Sequence, residues 1–345
     1  MQTPYFVFDK KRLIENYNYF NESCKKNFEK YKIAYSIKTN SFNAVLNELA
    51  KQKTGFEAAS ILELKQSIKY NKKGFNVFNG PAKTEEELKI AIKNHILINV
   101  DSKSEIDKII RLMKGKLLNI GIRVIYDIQD SKFGFEEKRI NDIINYCEKN
   151  NLHVVCIQFH QGTQINLKNF EEGIKKFAKT LDFLKRNFEF IDLGGGFPDK
   201  FKLGTLGLRL EDYFVIIKNN LEKFKATIIL EPGRAIVCDV FELITKVIAI
   251  KENFGIKHAV LDAGTNFLPR MSCAFYKFEA QGDKKENNKE EYILTGPLLF
   301  ANDSFGKFHG FLKDGDLIRV KNVGAYCYNL SWEISYKKPK IISKL

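Results

Sequence analysis

Lys38 ends a short β-branched run, KIAYSIK. A lysine held there in a low-dielectric pocket can lose its proton and form a Schiff base with a carbonyl. Other reactive or permissive residues end similar runs. His160 closes HVVCIQFH, the glycines Gly194, Gly195 and Gly196 follow FEFIDL, and Glu231 and Arg234 lie in the EPGR that follows ATIIL. A glycine-rich turn leading into a helix presents backbone N–H groups to a phosphate, and an arginine nearby adds charge-assisted bonds to it. A carboxylate such as Glu231 can pair with a pyridinium nitrogen and keep it protonated, which makes the ring an electron sink. An imidazole can stack on a flat ring. Taken singly, each has an ordinary explanation: a surface lysine, a turn, a hydrogen-bonded core histidine. Together they fit one chemistry, provided that the fold brings them to one rim.

The runs that carry them recur through the first two thirds of the chain. They end at Lys38, Ser60, Gly80, Asp101, Ile125, His160, Gly194 and Arg234. Each is nearly continuous in apolar residues, as strands of a parallel sheet buried on both faces are. The intervening segments are helical in pattern. Thr84 with Glu87, and Ser102 with Glu105, have capping-box spacing. NLKNFEEGIKKFAKTLDFLKRNF and LEDYFVIIKNNLEKF carry apolar residues at spacings of three and four. Eight such units predict a (β/α)8 barrel, whose reactive groups come from the C-terminal strand ends. A doubly wound open sheet is the alternative. After Arg234 the rhythm changes to strands joined by turns, which predicts an all-β domain. We therefore expect a barrel over 10–235 and a β-domain over 236–345, with residues 1–9 adding a strand to the latter. The polar stretch between Ala280 and Glu291 reads as an exposed loop.

The 345 residues carry 56 Lys and Arg against 42 Asp and Glu, a formal charge of +14 spread along the whole chain. A spread of this kind describes a solvated basic surface, and no nucleic-acid motif accompanies it. None of the six cysteines forms a C-x-x-C pair, so no zinc or thioredoxin-type motif, and no metal, is suggested. The N-terminus has no apolar signal core, and no run of about 18 apolar residues occurs. The expectation is a cytoplasmic protein, with no membrane or nucleic-acid partner.

At these residues the sequence resembles the fold-type III pyridoxal phosphate (PLP) decarboxylases, the group containing diaminopimelate and eukaryotic-type ornithine decarboxylases. YSIKTN is similar to the family's cofactor-lysine motif and GFEAASILEL to its G-x-D-x-A-S stretch, with Glu57 where Asp is usual. GPAKTEEEL, SKFGF, FHQGT, GGGFP, EPGR, DAGTNFLPR and VGAY match further segments in order. The resemblance implies an alanine racemase-like TIM barrel with a C-terminal β-sandwich or barrel domain, and PLP on Lys38. It implies His160 stacked on the ring and Glu231 on its nitrogen. Ser60, Thr163, Gly194, Gly195, Gly196, Arg234 and Tyr326 would serve the cofactor, mainly its phosphate. Arg270, Phe300 and Asp303 would face the amino-acid substrate. A homodimer with shared active sites is implied as well. Glu231 argues against a racemase, which commonly places an arginine there.

One motif departs. Where the family has G-P-x-C-x-x-x-D, this chain has GPLLFAND, so Leu299 replaces the proton-donating cysteine and Phe300 the residue that reads the substrate's far end. Leucine cannot transfer a proton. Cys327 or Cys273 could substitute, water could, or the chain could bind PLP without turnover. Phe300 cannot pair with a cation except weakly through its face. The reading is therefore decarboxylation of a modified or conjugated diamino acid, as in siderophore, polyamine or natural-product synthesis. The alternatives are diaminopimelate decarboxylation for lysine synthesis and a non-catalytic PLP-binding homologue.

Overall fold

The computed structural model describes residues 2–126, 131–269, 275–281 and 290–344. It divides into two units, one of residues 1–16 and 236–345, the other Tyr17–Ala235.

The second unit is the barrel. Its strands are β2 (Tyr31–Ser36), β3 (Gly55–Ala58), β4 (Asn76–Phe78), β5 (Leu97–Val100), β6 (Leu118–Ile125), β8 (Leu152–Phe159), β9 (Phe190–Asp192) and β10 (Thr227–Leu230). They pair in parallel in the order β5-β4-β3-β2-β10-β9-β8-β6, and β5 pairs with β6 to close the ring. A two-residue strand, β7 (Phe135–Glu136), lies alongside β6. All eight apolar runs read from the sequence are these eight barrel strands. Ala34, Val77, Leu97, Val155, Cys156 and Ile229 form a core cluster, with Phe75 and Phe190 packed on it.

Side-chain caps start several of the helices between strands. Thr84 and Glu87 form the full capping box that opens Glu85–Lys93. At the next helix Ser102 accepts the Glu105 N–H, but the Glu105 carboxylate is drawn elsewhere. It accepts the Asp101 N–H and pairs with Lys83 at 2.9 Å. Lys83 is buried and also donates to the carbonyls of Gly80 and Asn99. This buried cation ties the ends of β4 and β5 together.

The first unit is an eight-stranded mixed sheet. β1 (Tyr5–Phe8) pairs antiparallel with β11 (Phe241–Asn253) and parallel with β17 (Lys340–Ser343). β12 (Ile256–Leu261), β13 (Lys277–Ala280), β14 (Glu290–Thr295), β15 (Ser304–Gly310) and β16 (Leu317–Lys321) complete the order β13-β16-β11-β12-β14-β15. Among the described residues no helix is long and apolar enough to cross a membrane.

Lys83→Ala should cost about 3–5 kcal/mol, because it leaves the Glu105 carboxylate, and that of Asp101 at 3.9 Å from the same Nζ, buried without their cation. Urea unfolding of the two proteins measures it, and a loss under about 1 kcal/mol would show that the cluster is not what joins β4 to β5.

Candidate active site

β2 ends at Ser36 and the chain turns at once into a 3-10 turn, Ile37–Thr39, that carries Lys38. Ser36 is the register partner of Glu57 on β3. The two side chains therefore meet, and the Ser36 hydroxyl donates to Glu57 Oε2 at 2.6 Å. Lys38 Nζ bonds to the same oxygen at 2.6 Å. The lysine side chain is 46% exposed whereas that of Glu57 is fully buried, so the pair spans the step from interior to mouth. Burial alone would push the Glu57 carboxyl up. The Lys38 charge, with bonds from Lys38, Ser36 and Asn79, outweighs burial and holds it below its ordinary value.

Asn79 carries the network inward. Its amide donates to Glu57 Oε1 at 3.2 Å and to Glu231 Oε1 at 2.7 Å. Asn99 donates to Asn79 Oδ1 at 3.0 Å and to Asp192 Oδ2 at 2.8 Å. Asp192 in turn accepts the Gly194 N–H at 2.9 Å. The Glu231 carboxyl is raised well above the usual range by burial and by the charges of Asp192 and Glu57.

The phosphate-type cradle is built from backbone. The Glu231 N–H donates to the Gly194 carbonyl and the Gln164 N–H to that of Gly196, both at 2.8 Å. These bonds join the loops after β8, β9 and β10. Gly194 and Gly196 have φ of +62° and +92°, conformations that side chains disfavour. A Cβ on Gly195 would overlap the Glu231 carbonyl oxygen, and one on Gly196 that of Gly162. His160 lies against Gly194, where an added Cβ would stand 2.7 Å from Nδ1. Glycines that a Cβ would crowd, beside a lysine, a neutral imidazole and a buried acid, fit a flat phosphorylated ring such as PLP.

The structure thus brings together Lys38, His160, Thr163, the three glycines and Glu231. Arg234 follows in the EPGR segment, buried, and opens the Arg234–Val237 turn. Ser60 caps the helix Ile61–Asn71, accepting the Glu63 N–H, at the C-terminal end of β3.

Other expected residues lie in the β-sheet unit. Tyr326 has φ +67° at the start of the turn Cys327–Leu330. Cys327 is fully buried, its sulfur 3.4 Å from the Tyr276 hydroxyl. Asp303 is buried, and accepts the Thr265 N–H and hydroxyl on one oxygen and the Leu298 N–H on the other, so that it braces two loops. Phe300 is half exposed, 6.3 Å from the Trp332 ring centre, and Leu299 is fully exposed. Arg270 and Cys273 lie outside the described residues.

Sequence reasoning missed the roles of Glu57, Asn79, Asn99 and Asp192, and of Arg123 on β6. Arg123 stacks on Phe133 at 4.4 Å. Their signal was a polar residue inside, or just ending, an apolar barrel strand.

Residues 17–238 match the family described as pyridoxal-dependent decarboxylase, pyridoxal binding domain. The chain is 30% identical to a diaminopimelate decarboxylase of Helicobacter pylori, over 99% of this chain and 89% of the relative. The solved structure of the Helicobacter pylori enzyme complexed with L-lysine superposes with a TM-score of 0.87 at 28% identity, covering 99% of this chain and 91% of that one. Lysine/ornithine decarboxylase from Vibrio vulnificus, complexed with cadaverine, shares the fold at 20% identity, with a TM-score of 0.86 over 99% of this chain and 94% of that one.

Burial first, then the Arg123 and Lys38 charges, lowers His160 to about 4 from its ordinary 6.5. Between these values the unfolded chain holds a proton on His160 that the folded chain does not. Stability therefore falls as pH falls through this window, by on the order of 3 kcal/mol. His160→Asn should flatten that acid slope, as read from denaturant unfolding at about pH 7 and about pH 5. An unchanged slope would mean that the imidazole is not held neutral.

Proposed function

The chain belongs to the pyridoxal-dependent decarboxylase family, and we propose that its substrate is an amino acid whose far end differs from the charged centre of meso-diaminopimelate. Membership makes it a PLP-dependent carboxy-lyase acting on an amino acid. PLP supplies an electron sink for the pair left on the α-carbon as CO2 departs. The protein's own residues supply the rest. Lys38 Nζ is the attachment amine, and Glu57 Oε2, 2.6 Å away, accepts the proton that it must shed to attach. The bare backbone of Gly194, Gly195 and Gly196, with Arg234, serves the phosphate, completed in this reading by Ser60, Thr163 and Tyr326. His160, held neutral, stacks without adding charge, and Glu231 serves the ring nitrogen.

The observation that carries the substrate reading is the GPLLFAND loop. Leu299 and Phe300 stand exposed at the positions that the family resemblance gives to the proton-donating cysteine and to the residue that reads the substrate's far end. Neither side chain can serve as an ammonium's charged partner. A modified or conjugated diamino acid suits an apolar wall of this kind, and a homodimer is the assembly this reading takes from the family resemblance. The competing reading is diaminopimelate itself, the substrate named for the bacterial relatives. The proton that replaces CO2 is assigned to Lys38 Nζ, freed at the barrel mouth once the substrate amine has taken its place. Every cysteine among the described residues is buried.

Reconstitution with PLP should give a visible imine absorbance that Lys38→Ala abolishes. CO2 release across free and conjugated diamino acids then identifies the substrate. Turnover of meso-diaminopimelate on the order of 10 per second, an ordinary enzymatic rate, would overturn the far-end reading. Cys327→Ala should keep its activity. A loss of about a hundredfold, the least that a general acid usually contributes, with the fold intact would return the donor role to that thiol.

A further inference from the structure

We propose that Phe133 is a positioning residue of the cofactor site: its ring, placed through the Asp101–Gly134 hydrogen bond, fixes the Arg123 guanidinium on the lumen side of β6, on the face that carries His160. The inference rests on the cofactor reading above for what His160 does there, not for where it lies.

Strand register puts Arg123 in the lumen. It is the partner of Gln158 on β8, and Gln158 is the partner of Asp192 on β9. Register partners share a face of the sheet, and Asp192 belongs to the interior network through Asn99. His160 lies two residues beyond Gln158 and so keeps to the same face. Phe159, between them, points the other way, onto Phe177 of the helix Leu167–Leu184. Arg123 Nε is buried and has no hydrogen-bond partner among the described residues. A guanidinium without that bond is held in direction by what packs on its flat face.

Phe133 packs there. Its ring centre lies 4.4 Å from the guanidinium carbon, and a cation over an aromatic face is attracted to it. Lys132 Nζ shares the ring, at 5.4 Å. Two contacts set the ring against Arg123. Asp101, just after β5, accepts the Gly134 N–H on Oδ1 at 2.6 Å. Gly134 itself has φ of +61°, and a Cβ on it would stand 2.8 Å from the Arg123 carbonyl oxygen and 3.1 Å from its Cγ. The segment therefore lies directly on Arg123, and Phe135 continues it as the register partner of Val124.

A cation fixed on this face disfavours a second positive charge on His160. The charged groups facing His160 are Arg123 on β6, Lys38 after β2 and Glu57 on β3. Burial comes first in holding the imidazole neutral, then Arg123 and Lys38, with Glu57 opposing. Phe133 thus acts on His160 through Arg123, and keeps uncharged the imidazole that stacks on the cofactor.

NMR of isotope-labelled imidazoles in the full-length protein loaded with PLP, at about pH 5, tests this. The chain has five histidines, and His160→Asn identifies the resonance. With its pKa at about 4, His160 of the wild type should be about one tenth protonated. Phe133→Leu keeps apolar bulk and removes the aromatic face. It should raise the His160 pKa by about one pH unit, the low end for one nearby charge, so that about half is protonated. Phe133→Trp should stay close to the wild type. In an Arg123→Met background, which has no guanidinium to position, Phe133→Leu should change nothing further. A Phe133→Leu protein whose His160 is as neutral as in the wild type, or an equal shift with and without Arg123, would overturn the inference. Failure of the wild type to take up PLP, seen as no visible imine absorbance, would overturn the cofactor reading instead, and the His160 comparison reads the same in that sample. Should Phe133→Leu fail to fold, Gly134→Ala, whose Cβ drives the segment off Arg123, should give the same shift.

Discussion

Glu57 is fully buried, and its carboxylate is held by the Lys38 ammonium, the Ser36 hydroxyl and the Asn79 amide. Taking an isolated carboxylate out of water costs several kcal/mol even after relaxation, so this group tolerates its place only while all three donors stay. That requirement constrains the surrounding strands. The β2–β3 register must set Ser36 opposite Glu57. β4 must end so that Asn79 reaches inward, and the turn after β2 must aim Lys38 back across the mouth. A slip of one residue would send Glu57 to the other face of its strand. Attachment chemistry at Lys38 and integrity of the barrel are thus linked through one carboxylate.

The glycine loops proposed to hold the phosphate follow a different logic, in which the absence of side chains is what matters. The loops after β8, β9 and β10 are joined by backbone hydrogen bonds at 2.8 Å, at a spacing that no Cβ would survive. Side chains there would separate the loops and bury the N–H groups that an anion needs. The barrel therefore uses side chains at its centre, where charge must be tuned, and bare backbone at its rim, where close approach matters.

This division explains what was legible in the sequence. The eight strands were, because parallel strands buried on both faces leave apolar runs that few other structures produce. The glycines and Lys38 were, because they end those runs. Asn79, Asn99 and Asp192 were not. In a strand buried on both faces, periodicity does not separate the lumen from the helix-facing side, so a polar residue among apolar ones gives no direction. The second capping box failed for a related reason. Ser102 and Glu105 have the right spacing, but Lys83, distant in sequence, offers Glu105 a buried partner that a local pattern cannot reveal. Cys327 and Asp303 were placed by motif alone. Only the fold sets one thiol against Tyr276 and wraps the other residue in backbone donors.

The altered loop can be weighed on the same terms. Leu299 and Phe300 offer neither a transferable proton nor a charged partner, yet the barrel holds Lys38, Glu57, Asp192 and Glu231 in one network. A scaffold without turnover would have no use for a buried acid pair beside a lysine, since such a cluster destabilises a fold that gains nothing from it. Retention of Glu57, Asp192 and Glu231 in the interior therefore argues for an active enzyme. On the reading proposed above, these two positions bear on the substrate's far end and on the route of the last proton, for which Lys38, ion-paired with Glu57 at 2.6 Å, is the donor we propose.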